Sequence, residues 1–88
     1  MKVEECQQHL SNNLKLLRAA TSLTQREVGL KINATRATIS YYENFHMLPS
    51  IGTVCALGEA FGLENPFDIF TRDLAAEEFI FGSTETQN

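Results

Sequence analysis

Eighty-eight residues, 43% of them hydrophobic and 20% charged, describe one small domain, because domains run from about 50 to about 250 residues and a chain this short cannot build two cores. The net charge of −4 argues against a nucleic-acid binder if it is evenly spread, but six basic side chains (Lys2, Lys15, Arg18, Arg26, Lys31, Arg36) oppose only four acidic ones before position 51, and after it Arg72 alone opposes seven acids. No run approaches the roughly 18 apolar residues that span a bilayer, and the opening MKVEECQQHL lacks the apolar stretch of a secretory signal, so a cytoplasmic chain with no membrane association is predicted.

Leu10, Leu14 and Leu17, with Ala20 a turn further, form the apolar stripe of an amphipathic helix over roughly Glu5 to Ala20. Thr21-Ser22-Leu23 breaks it. Thr24 and Glu27 stand in the Thr-x-x-Glu spacing of a capping box and open a second helix to about Lys31, with Val28 and Ile32 inward and Leu23 stapled onto Val28. Gly29 interrupts that helix at a cost of about 1 kcal/mol relative to Ala, which predicts close packing against another helix. Asn33 tolerates the left-handed conformation that ends one helix and swings into the next.

Thr35 caps a third helix, Arg36 to Glu43, in which Ile39 and Tyr42 share a narrow apolar face. The opposite side presents Arg36, Ala37, Ser40 and Tyr41. Pro49 ends the following loop, and Ser50 caps a fourth helix whose Ile51, Val54, Cys55, Leu57 and Phe61 are expected to form a buried stripe ending at Gly62. Asn65 and Pro66 start a fifth helical segment with Phe67, Ile69, Phe70 and Leu74, Asp68 lying near its positive end. Residues 1–74 are therefore read as the domain. Residues 75–88, with Phe79-Ile80-Phe81 as either helix or strand, are read as a C-terminal apolar extension, a dimerisation arm and a disordered tail.

Two short helices joined by a tight turn, the second exposing small polar groups and an Arg, meet the demands of helix-turn-helix binding to the DNA major groove. Arg18, Leu23-Thr24-Gln25, Thr35-Arg36-Ala37-Thr38-Ile39-Ser40, Tyr42-Glu43 and Pro49-Ser50 stand in register with the pattern of one family. Over Leu14 to Phe61 the chain resembles the Cro/repressor (XRE-like) helix-turn-helix family. The resemblance implies an all-α, lambda-repressor-like domain of four to five helices. It implies that Gln25 clamps a phosphate through its amide and an adjacent backbone N–H, with Thr35 and Asn44 as further backbone contacts. Arg36, Ala37 and Tyr41 would face base edges, with Thr38 and Ser40 at their flanks. Arg36 carries the most weight, since a guanidinium can bond guanine O6 and N7 together. Arg18 and Glu43 match positions that form an ion pair between the first and third helices.

The chain departs from this pattern after the third helix. Asn33 replaces the usual Gly of the turn, Phe45 stands where Gly is common, and His46-Met47-Leu48 replaces a basic loop. A weaker hold on the DNA backbone follows, or a protein-facing role for Phe45, Met47 and Leu48. One such module reads few base pairs, so a homodimer on a palindromic operator is expected, its seam formed by the apolar C-terminal residues Phe61, Phe67, Phe70, Leu74, Phe79, Ile80 and Phe81.

The expected function is therefore a sequence-specific transcriptional regulator, a repressor, acting on double-stranded DNA. The alternative is a protein-binding module on the same scaffold, such as an antitoxin or an acidic interaction protein, which the acidic C-terminal third and the apolar loop favour. No enzyme is expected, because His9 and His46 lack partners at motif spacing and no Gly-rich phosphate loop follows a strand. No cofactor or metal is expected either, since Cys6 and Cys55 lack a CxxC spacing and read as reduced, idle thiols.

Overall fold

The Leu10-Leu14-Leu17 stripe is fully buried and organises the longest helix, α1 (Val3–Thr21). It begins before Glu5, where the Lys2 backbone N–H donates to Glu5 Oε1 at 3.0 Å, and it ends at Ser22 in the left-handed conformation (φ 59°). Ala20, expected on the stripe, is exposed, because the helix is already leaving the core at its last turn. These features come from a computed structural model that describes residues 1–44 and 46–75.

The capping box at Thr24 forms as expected. The Glu27 N–H donates to Thr24 Oγ1 at 3.0 Å, the Thr24 N–H donates to Glu27 Oε1 at 2.8 Å, and α2 (Gln25–Lys31) follows. Val28 is fully buried, while Leu23 and Ile32 pack partly buried against the core. Gly29 is needed for a close approach, but to the turn rather than to another helix. A Cβ there would stand 2.7 Å from the Ala34 carbonyl oxygen and 3.2 Å from Thr35 backbone atoms. The Ala34 N–H closes that turn onto Gly29 O at 2.8 Å, with Asn33 left-handed at φ 60°.

Thr35 caps α3 (Arg36–Glu43) by accepting from the Thr38 N–H at 3.1 Å, and Ser50 caps α4 (Ile51–Phe61) by accepting from the Thr53 N–H at 3.2 Å. On α4 the buried residues are Val54, Leu57, Gly58 and Phe61. Ile51 and Cys55, expected in that stripe, are exposed. Ile51 is the first helical residue, beyond the end of the core, and Cys55 lies one turn later on the outer flank. Gly58 lets the chain return across α4, since a Cβ would meet Pro66 Cβ at 2.4 Å.

Asn65 Oδ1 accepts from the Phe67 N–H at 3.1 Å, so the Asn65-Pro66 start is a turn, and regular helix is confined to α5 (Asp68–Thr71). Among the described residues the five helices make an all-α globule in which α1 packs on α3 and α5, and α2 on α3 and α4. Its core joins the α1 leucines to Val28, Ile39, Tyr42, Val54, Leu57, Phe61, Ile69 and Leu74. Phe61 and Leu74 are thus interior and Phe70 is partly buried against them. Three of the seven residues expected at a dimer seam serve the protomer's own core instead, because a domain this small needs them to complete it. Phe67 is exposed. Phe45, Phe79, Ile80, Phe81 and the extension from residue 76 onward lie outside the described residues.

Candidate nucleic-acid interface

The period of α3 sorts its side chains onto two faces. Ile39 is fully buried, Tyr42 is 5% exposed and Glu43 is 2% exposed, so this face anchors the helix. Burial pushes the Tyr42 phenol pKa up, against the opposing effect of a side-chain hydrogen bond with Thr53. On the other face Arg36, Ala37 and Thr35 are exposed, Thr38 and Ser40 are half-buried, and Tyr41 is half exposed. The structure therefore brings six of the eight sequence-predicted contacts together along one open helical surface. Asn44, the seventh, is the exposed C-terminal cap residue, and its Nδ2 donates back to Ser40 O at 2.7 Å and Ser40 Oγ at 3.3 Å. Gln25, the eighth, stands at the start of α2.

Glu43 ties three helices together. Arg18 on α1 donates through Nε to Glu43 Oε2 at 2.6 Å and through its second terminal nitrogen to Oε1 at 3.0 Å, the fork pairing that makes Arg–carboxylate bonds strong. Hydrogen bonding to Glu43 raises the Arg18 pKa further above its already high ordinary value, although burial opposes this. A third Arg18 nitrogen donates to Leu23 O at 3.2 Å, which fixes the chain just before α2. The ion pair implied by the resemblance is thus present. Sequence reasoning did not foresee that Gln25 Nε2 also donates to Glu43 Oε1, at 3.0 Å.

Two other polar groups were missed altogether. Ser11, fully buried, donates its hydroxyl to the Glu43 carbonyl oxygen and so bonds α1 to the end of α3. Asn13, 1% exposed, donates to Ile69 O at 2.9 Å and Arg72 O at 2.7 Å and accepts from the Leu74 N–H at 3.1 Å. Their only sequence signal is position: both flank the leucine stripe, where an amide or hydroxyl has no reason to sit unless it is bonded.

The charge near α3 is smaller than the sequence count implies. Of the five cations between Lys15 and Arg36, Arg18 is committed to Glu43, while Lys15, Arg26, Lys31 and Arg36 are exposed. Beyond the helix, the Tyr41 ring meets His46 edge to face with centroids 5.9 Å apart, and the His46 N–H donates to Tyr41 O at 3.0 Å. Met47 and Leu48 are exposed beside them. Among the described residues no group of His, Cys, Asp and Glu is placed to hold a metal ion, and no helix is long and apolar enough to cross a membrane.

Comparison with known proteins agrees with this architecture. A family model described as "Helix-turn-helix" matches residues 14–64, which run from Leu14 of α1 through the α2–turn–α3 unit and α4. No curated protein and no solved structure gives a match. With more than half of its length matched and its second and third helices in the required order, the chain belongs to the Cro/repressor-type (XRE-like) helix-turn-helix family of DNA-binding regulators.

Proposed function

We propose that this protein is a sequence-specific transcriptional repressor that binds a palindromic operator as a homodimer and reads each half-site with α3. The observation that carries this reading is the two-faced third helix. Ile39, Tyr42 and Glu43 hold it from behind, while Arg36, Ala37, Thr38, Ser40 and Tyr41 form an accessible polar surface. A helix braced in this way enters the major groove without rearranging, and its side chains are short enough to reach base edges.

Within this reading Arg36 contacts guanine, Ala37 packs on a thymine methyl, and Tyr41 reads a neighbouring base. Thr38 and Ser40 serve as flanking contacts, and Gln25, Thr35 and Asn44 hold phosphates. The cytoplasm, where the DNA is accessible, is the site of action. The partner subunit is a second copy. With Phe61 and Leu74 inside the protomer and Phe70 partly buried against its core, Phe67 is the exposed member of the proposed C-terminal seam among the described residues.

Selection of binding sites from random duplex DNA tests the reading. A palindromic consensus with two half-sites about one helical turn apart is expected. A second reading, a protein-binding module such as an antitoxin, is favoured by the exposed Met47, Leu48 and Ile51 in a stretch, Asn44 to Gly58, that carries no Asp, Glu, Lys or Arg. Failure of selection to enrich any sequence at about 0.1 M salt, where nonspecific phosphate binding is already weakened, decides for that module.

A further inference from the structure

The Arg18–Glu43 pair does more than join two helices, because the same carboxylate oxygen that receives Arg18 also receives Gln25 Nε2 at 3.0 Å. Glu43 is 2% exposed, and its Oε1 accepts from the Gln25 amide nitrogen, so it holds the nitrogen end of that amide against itself. An amide nitrogen carries two hydrogens. Glu43 takes one, and the other, on a half-buried side chain, has no acceptor among the described residues and can donate to an anionic oxygen. A loose glutamine would have to lose its rotamer freedom on meeting such an oxygen, whereas one already pinned has lost most of it in folding. Arg18 is part of the device: donating to both Glu43 oxygens, it fixes the carboxylate in the place where Gln25 meets it.

We infer that Glu43, paired with Arg18, is a positioning residue that presets the Gln25 amide as a donor to a DNA phosphate. The inference rests on the DNA-binding reading above. It makes Glu43 contribute to affinity without touching DNA, and it couples the bracing of α3 to a backbone contact on α2.

The test uses the full chain and a duplex recovered by selection from random DNA. Gln25→Ala is expected to weaken binding at least about tenfold, the size of a lost hydrogen bond to a charged group. The double variant Arg18→Met/Glu43→Met replaces the pair by apolar groups of similar length, an exchange that often leaves stability unchanged or raised. It is expected to retain its melting temperature, to lose affinity by a similar factor, and to lose nothing further when Gln25→Ala is added. Additive losses, or wild-type affinity in the double variant, overturn the inference.

In the unaltered protein, nuclear magnetic resonance relaxation of the Gln25 side-chain amide is expected to show backbone-like order before DNA is added. The mobility of a free surface glutamine there also overturns it, whether or not the variants fold. Unchanged binding by Gln25→Ala removes the phosphate contact and the inference together, while Arg36→Ala on the same duplex tests the DNA-binding reading separately.

Discussion

Arg36 and Asn13 illustrate two opposite uses of a polar side chain. Arg36 is exposed at the first position of α3 and forms no ion pair with another described residue, which suits the base contact proposed for it. Arg36→Ala is expected to relax preference at one base position per half-site by about 1–3 kcal/mol, read as the affinity ratio between the selected duplex and single-base variants. Uniform weakening across all variants would make it a phosphate contact instead. Asn13 uses both ends of its amide inside the protein, bonding the backbone at Ile69, Arg72 and Leu74. Asn13→Ala removes all three of these hydrogen bonds, two of them buried and one part-buried, so a loss of about 3 kcal/mol in urea unfolding is expected. A loss below about 0.5 kcal/mol would show that this residue does not anchor the segment after α5.

At the scale of elements, α2 is seven residues long and cannot persist on its own propensity, so its cap and its packing decide whether it forms. Glu27 closes that cap with its carboxyl. The Thr24 backbone N–H and then the Thr24 side chain hold its carboxyl below the usual glutamate range against an opposing desolvation, with Arg26 and Lys31 adding lesser lowering effects. A carboxyl whose pKa is depressed on folding contributes stability that is complete above the unfolded value, about 4.3, and is lost as pH falls through the lower folded value. Thermal melts of the wild type and Glu27→Gln are therefore expected to differ at about pH 6 and to converge toward about pH 3. A constant difference would mean that the charged cap does not stabilise α2. The caps at Thr24, Thr35 and Ser50 were legible because each satisfies its own helix within three residues. The exposure of Ile51 and Cys55 was not, since helical spacing groups residues on a face without saying where the core ends.

For the whole molecule, the unsettled economy is between core and seam. The described apolar residues of the C-terminal third divide, with Phe61, Ile69 and Leu74 interior, Phe70 partly so and Phe67 exposed. If the seam lies at the C-terminus, a chain ending at Ala75 is expected to sediment as a monomer where the full chain sediments as a dimer. A dimer at both lengths moves the seam away from the extension, toward exposed apolar groups such as Met47, Leu48 and Ile51. By itself the sequence determined the order of the described helices, the left-handed turn at Asn33 and the face of α3 that meets solvent. All of these follow from interactions within a few residues, and the family pattern added the Arg18–Glu43 pair. Only the tertiary structure decided that Gln25 shares Glu43 with Arg18, that Ser11 and Asn13 are interior, and that Gly29 and Gly58 make room for backbone and for Pro66. Those contacts join residues far apart in the chain, and neither periodicity nor propensity carries information about which distant groups the packed helices bring within hydrogen-bonding reach.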